Sequence, residues 1–242
     1  MAAQGRFMGG GLRERLFARY WRRQFRAARD MGAFLAVVRR RQAELAGFAA
    51  RAEARLAPAP PPPAPGARWS WRPDALLRPL SPAALLRPEP GAALGAGLAL
   101  HHDAGPGAAF MLAQRKVEGA ASRFALAFEA YEFDGAYLSL SLAPPADLPH
   151  PRPGEAVRLE IDLAASRPVK AFLRLVVARP GARTEIAEEG ELASGRHAFR
   201  FAAERAAFPV REDDSLWLDL ILDRPRMAAL TFRDLSLSLG PA

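Results

Sequence analysis

Trp217 and Asp219 stand two residues apart in a run where Leu216, Leu218, Leu220 and Leu222 take the alternate positions. In an extended strand such alternation turns the leucines to one side and Trp217, Asp219 and Ile221 to the other. Phe172 and Arg174 alternate in the same way with Leu173 and Leu175, and Glu160 and Asp162 with Leu159 and Ile161. Brought onto one sheet face, these residues would supply an aromatic ring, carboxylates and a guanidinium. That set suits a sugar: the ring stacks on its apolar face and the charged groups bond its hydroxyls. The candidate ligand-binding residues are therefore Trp217, Asp219, Arg174, Glu160 and Asp162. The plainer reading is a solvated sheet face with cross-strand ion pairs, each worth little, and it is the favoured one at this level.

Other constellations carry less. His101-His102-Asp103 resembles a metal-ligand run, but on a strand His102 points away from its two neighbours, and hydrogen-bonded or solvated histidines fit better. His150 and His197 fall in loop and strand-edge contexts. Ser139, Ser141, Ser236 and Ser238 alternate with leucines, as on the wet side of a strand, and no G-x-S-x-G elbow is present. Gly9-Gly10-Gly11 lacks the Lys-Ser/Thr of a phosphate loop, and Gly91, Gly95 and Gly97 lack dinucleotide-site spacing. The absence of cysteine excludes disulfides, thiolate metal sites and a cysteine nucleophile. No catalytic residue, metal site or cofactor is assigned, so the chain reads first as a binding protein; a hydrolase whose triad is assembled by long-range folding stays open as a third reading.

The elements that must position these residues change along the chain. Residues 1–57 hold 13 Arg against four acidic residues, while the remainder is close to neutral; the whole chain of 242 residues carries a formal +8. Leu12, Leu16, Phe17, Tyr20, Trp21 and Phe25 recur at helical spacing, with arginines filling the rest. Gly32 predicts a break, and Leu35, Val38, Leu45, Phe48, Ala52 and Leu56 form a second stripe. The prolines of 58–65 predict an extended spacer. Trp69 and Trp71 read as anchors where the chain reaches the next domain. The pentapeptide Ala75-Leu76-Leu77-Arg78-Pro79 recurs as Ala84-Leu85-Leu86-Arg87-Pro88, and both leucine pairs are expected to pack while the prolines keep the chain extended.

From about residue 92 the period becomes two. Alternating runs at 123–130, 138–142, 157–163, 173–177, 199–201, 216–222 and 235–239 predict eight or nine strands in two packed antiparallel sheets. Asp134-Gly135 predicts a hairpin between the first two runs. The expected fold is mainly β: an antiparallel β-sandwich, jelly-roll-like, preceded by an N-terminal basic amphipathic helical arm. The expected divisions are the arm at 1–57, a Pro-rich spacer at 58–67 and the sandwich at 68–242.

Arg15, Arg19, Arg22, Arg23 and Arg26, with Phe17, Trp21 and Phe25, are the candidates for attaching the arm to an anionic membrane surface or an acidic protein. Nucleic acid is a weaker alternative, and simple helix packing competes with all of these. There is no secretory signal and no apolar run of the roughly 18 residues a spanning helix needs. A cytoplasmic protein, peripheral to the inner membrane through the arm, is the expectation. The leading function is a non-enzymatic adaptor whose sandwich presents a binding face; the alternative is a carbohydrate-binding module.

Several blocks carry a resemblance. Trp71-Arg72-Pro73-Asp74 with Leu80, Tyr131-Glu132-Phe133-Asp134-Gly135 with Tyr137-Leu138-Ser139-Leu140, and Trp217-Leu218-Asp219-Leu220 with Pro225-Arg226-Met227 and Arg233-Asp234-Leu235 resemble an uncharacterised, domain-of-unknown-function family of roseobacter-type alphaproteobacteria. The resemblance covers about residues 70–239. It implies a soluble bacterial single-domain protein and supplies no reaction, ligand or catalytic residue.

Overall fold

The structure, a computed structural model, describes residues 19–20, 22–23, 25, 30–55, 66–117, 122–145, 148–149, 151–202 and 214–242; at 43, 46, 49–51 and 53–55 the backbone alone is described. The chain divides into two compact units, Met1–Ala49 and Ala50–Ala242.

Residues 19–20, 22–23 and 25 are helical, and α1 runs from Met31 to Arg55. The break expected at Gly32 falls at Asp30, which is non-helical. Its carboxylate accepts from Gly32 N (2.8 Å) and Ala33 N (3.1 Å), capping two of the backbone donors that a helix start leaves unpaired. Arg41 and Arg40 pair with Glu44 at 2.6 and 3.4 Å, and the Arg41 hydrogen bond holds the Glu44 carboxyl below its ordinary value. No described helix is long and apolar enough to cross a membrane. Most of the Pro-rich stretch lies outside the described residues.

The second unit is mainly β, two antiparallel sheets packed face to face. Its strands are β1 (Trp69–Trp71), β2 (Ala84–Leu86), β3 (Ala92–Ala93), β4 (Leu98–His102), β5 (Ala109–Lys116), β6 (Phe124–Glu132), β7 (Tyr137–Leu142), β8 (Glu155–Ala165), β9 (Val169–Arg179), β10 (Ala182–Leu192), β11 (Gly195–Ala202), β12 (Ser215–Asp223) and β13 (Ala228–Pro241). One sheet has the order β11-β8-β13-β6-β5-β2, with β1 also on β13; the other has the order β10-β9-β12-β7-β4-β3. From β6 onward the pairing is nested: β6 with β13, β7 with β12, β8 with β11 and β9 with β10.

The leucines meet between the sheets. Leu138, Leu140, Leu142, Leu173, Leu175, Leu218, Leu220 and Leu222 from one sheet face Leu126, Phe128, Leu159, Ile161, Phe232, Leu235, Leu237 and Leu239 from the other, all buried. At roughly 25 cal/mol per Å² of apolar surface removed from water, this shared core holds the sandwich together.

Three expectations change. Asp134-Gly135 forms no hairpin: β6 and β7 lie in different sheets, so the turn is a crossover. The neighbouring loop dictates it, because Asp134 Oδ1 accepts from Gly105 N at 2.9 Å and Asp103 Oδ1 accepts from Tyr137 N at 3.0 Å. A side chain at Gly135 would place its Cβ 2.4 Å from Asp103 Oδ1. Second, the repeated pentapeptide adopts two conformations. The first copy holds a one-turn helix, α2 (Asp74–Leu77), that buries Leu76 completely. Gln114 pins it: its amide donates to Ala75 O and Arg78 O at 2.7 Å and accepts from Leu80 N at 2.8 Å. The second copy is β2, paired to the edge of β5, with Leu86 80% exposed; each copy packs one leucine, Leu76 fully and Leu85 partly. Third, the strands are more numerous than expected, because β1, β2, β3 and β10 carry little apolar alternation.

Trp69 and Trp71 lie opposite Leu239 and Leu237 and pack against the core. Gly97, at φ +73, accommodates the Trp71 ring; a Cβ there would lie 2.4 Å from Trp71 Cζ2.

Candidate functional site

On β12 the leucines enter the core and Trp217, Asp219 and Ile221 face outward, as the period-two pattern dictates. β9 does the same with Phe172 and Arg174. Register then sets the outward groups in rows across the six-stranded sheet. Asp219 lies opposite Arg174 on one side and Ser141 on the other, and Ile221 lies opposite Phe172 and Ser139. His101 follows Ser139 in the latter row.

These rows form a depression of about 570 Å³, lined by Tyr137, Ser139, Ser141, Arg174, Trp217 and Asp219 together with His101, Arg183 and Ile221. Asp219 is its polar centre and is only 6% exposed. Its Oδ2 accepts from Arg174 Nε (3.1 Å), Arg174 Nη2 (2.8 Å) and the Trp217 indole Nε1 (3.3 Å). A carboxylate this far out of water needs such charged and N–H partners. Arg174 also lies 3.6 Å from Glu185, and Glu185 pairs with Arg183 at 2.5 Å. The Arg183 guanidinium sits 5.3 Å from the Trp217 ring centroid, a cation–π contact. Arg174, Arg183, Asp219 and Glu185 sum to zero formal charge.

Arg174, Trp217 and Asp219 thus come together. Glu160 and Asp162 do not join them. Both lie on β8, in the opposite sheet, and face away from the Trp217 side. Asp162 accepts from Arg233 at 2.6 and 3.0 Å, and Glu160 lies 3.5 Å from Arg158. Alternation reveals which side of its own strand a residue takes, but not which sheet the strand enters. Tyr137, Ser139, Ser141, His101 and Arg183 were not among the sequence candidates; the serines read only as a wet strand face, and Arg183 sits on the unpatterned β10.

His102, the inward member of its pair, is buried beside Phe110, with ring centroids 4.9 Å apart. Its Nδ1 accepts from Ala104 N (3.1 Å), which leaves Nε2 to donate to Pro88 O (2.7 Å). His150 lies outside the described residues. Among the described residues no three His, Asp or Glu side chains gather as a metal-binding group. Of the arm candidates, Arg19, Arg22, Arg23 and Phe25 are described, and the Phe25 ring meets Phe34 edge-on at 5.7 Å. Arg15, Phe17, Trp21 and Arg26 lie outside the described residues.

No curated protein sequence matches the chain. Solved structures of similar shape include the enzymatically active domain of bacteriophage CBA120 tailspike protein 4, at 5% identity and a TM-score of 0.41 over 61% of this chain and 20% of that one. TmCBM61 in complex with β-1,4-galactotriose is similar at 16% identity and a TM-score of 0.38, over 61% and 90% of the two chains. The C-terminal family 22 carbohydrate-binding module of Clostridium thermocellum Xyn10B is similar at 10% identity and a TM-score of 0.39, over 75% and 97%. Likenesses this distant carry no ligand or activity across. The sequence itself matches a family model over residues 1–241, and the chain belongs to the family of unknown function DUF6478.

Proposed function

We propose that the outer face of the six-stranded sheet binds carbohydrate and that the protein acts as a non-enzymatic binding module. One observation carries this reading: the Trp217 ring, the Arg174–Asp219 pair, the Tyr137 phenol and the Ser139 and Ser141 side chains converge on one open depression. The rings suit the C–H face of a sugar, and the polar groups suit its hydroxyls. The balanced charge favours neutral sugars. Among the described residues a single carboxylate lines the depression, whereas glycoside hydrolysis uses two. The nested pairing of β6 through β13 supports the jelly-roll-like subtype. A glycan array with the wild-type chain and W217A tests the proposal. Binding by wild type and its loss in W217A are expected; a blank wild-type array refutes it.

A second reading concerns the arm. α1 exposes Leu35, Leu45 and Phe48 beside Arg39 and Arg40, a composition suited to an anionic membrane surface or an acidic protein. Co-sedimentation of the full chain with anionic and neutral vesicles tests the membrane version, and equal failure to pellet with both rejects it.

A further inference from the structure

The opposite side of the sandwich holds a second cleft. There β11, β8 and β13 run side by side, and the register sets Arg200 directly opposite Arg158, and Arg158 directly opposite Ser238. Gly66 and Ala67 cross above Gly240 so closely that a Cβ at Gly240 would lie 3.0 Å from Gly66 O. This crossing walls a cleft of about 290 Å³ in which Ala156 and Gly240 are small and Arg158, Arg200 and Ser238 carry the chemistry.

Two like charges directly opposite each other on paired strands are unfavourable unless something compensates them. Compensation within the protein is sparse. Arg158 Nη1 lies 3.5 Å from Glu160 Oε1, and Arg200 Nη2 donates to Pro241 O at 3.3 Å. Among the described residues Arg200 has no acidic partner. Ser238 is 7% exposed and lies in the same row as the two arginines, opposite Arg158. A hydroxyl and two neighbouring guanidiniums, only one of them with an acidic partner, therefore share a concave site.

We propose that this cleft binds a tetrahedral oxyanion, a phosphate or sulfate group, between Arg158 and Arg200, with Ser238 donating a third hydrogen bond. Guanidinium groups match such oxyanions in geometry and charge, and the bound anion removes the repulsion between the two arginines. The group is either a free anion or the ester of a larger molecule. The site is separate from the Trp217 depression and does not depend on the carbohydrate reading.

The test titrates the full chain with inorganic phosphate, inorganic sulfate and glycerol 3-phosphate. Sodium chloride holds the ionic strength constant, and calorimetry and the unfolding midpoint Tm are the readouts. Saturable binding with a rise in Tm is expected for phosphate and sulfate. Glycerol 3-phosphate binding at least as tightly as phosphate identifies an ester as the ligand; weaker binding identifies the free anion. R158Q and R200Q are each expected to weaken binding at least tenfold and S238A several-fold, whereas W217A leaves it unchanged. R200E controls for folding: without anion it is expected to raise Tm, because it turns the cross-strand repulsion into attraction, and it abolishes the anion response. A response equal to that of chloride, or one retained in R158Q and R200Q, overturns the proposal.

Discussion

The Arg174–Asp219 pair offers the sharpest test of whether the Trp217 face is built or merely solvated. Substituting Asp219 by Ala removes three N–H···O contacts at 2.8–3.3 Å. It leaves the Trp217 indole N–H without its acceptor and Arg174 with Glu185 at 3.6 Å. The side chain of Asp219 is 8% exposed and that of Arg174 is 36% exposed. The pair therefore falls between a surface ion pair, at about 0.2–1 kcal/mol, and a buried charged hydrogen bond, at about 1.5–3 kcal/mol. Both guanidinium contacts converge on one oxygen and do not engage the carboxylate as a fork, which argues against the upper limit. We expect a coupling of about 1–2 kcal/mol between the two side chains, and a total cost of about 2–3 kcal/mol for D219A once the indole N–H is counted. The assay is a double-mutant cycle of D219A and R174M by urea unfolding, with Trp217 fluorescence as a second readout. D219A should lower Tm by about 4–12 °C on the scale of a domain this size. Additivity of the two substitutions within about 0.3–0.5 kcal/mol would show that the contacts hold nothing in place, and the built-site argument would fail.

Two further predictions concern how the chain entering the sandwich is secured. Glu155 accepts from Arg68 at 2.7 and 2.9 Å and from Arg152 N at 2.6 Å, and the Arg68 hydrogen bond is the main cause that holds its carboxyl down from 4.5 to about 2. A depressed carboxyl stabilises the fold fully above about 4.5 and loses that contribution as pH falls toward 2. With solvent screening this amounts to about 1 kcal/mol, so R68Q should flatten the wild-type fall in Tm over that acid range, and an unchanged profile would refute it. G97A should cost about 3 kcal/mol or more: the positive φ accounts for about 1–2 kcal/mol, and the new Cβ would meet Trp71 Cζ2 at 2.4 Å and the backbone Ala143 O at 2.8 Å. Thermal unfolding measures it, and a Tm within a degree or so of wild type would show that the Trp71 anchor yields freely.

Much of this architecture is legible from strict alternation. Leu216 to Leu222 show both faces of β12, and Leu173 and Leu175 do so for β9, because a half-buried strand must separate apolar from polar side chains every second residue. Partnering between strands is not written in that pattern. Glu160 and Asp162 have the right chemistry, but β8 enters the other sheet, and only long-range pairing decides this. β10 escapes recognition because Ile186 and Leu192 are too few to mark an alternation within Ala182–Leu192. A readable signal passed unused lies in β13: apolar residues at 230 and 232 resume at 235, 237 and 239, and the skipped step coincides with a bulge at Arg233, which turns to bond Asp162. Asp134-Gly135 misleads because a turn motif specifies a reversal and not the sheet that receives the next strand.

The proposed binding face differs from an ordinary wet sheet face in what surrounds Asp219. A carboxylate on the solvent side of a sheet has no need to leave water, and removing it costs free energy unless donors replace the hydration. Here Trp217 and Arg174 do both: they cover Asp219 and bond it. The backbone beneath is held by Leu138, Leu140, Leu173, Leu175, Leu218 and Leu220, each at most 1% exposed. On the proposed carbohydrate reading, the ring and the guanidinium are ordered before a sugar arrives, and fixing them adds little to the cost of binding.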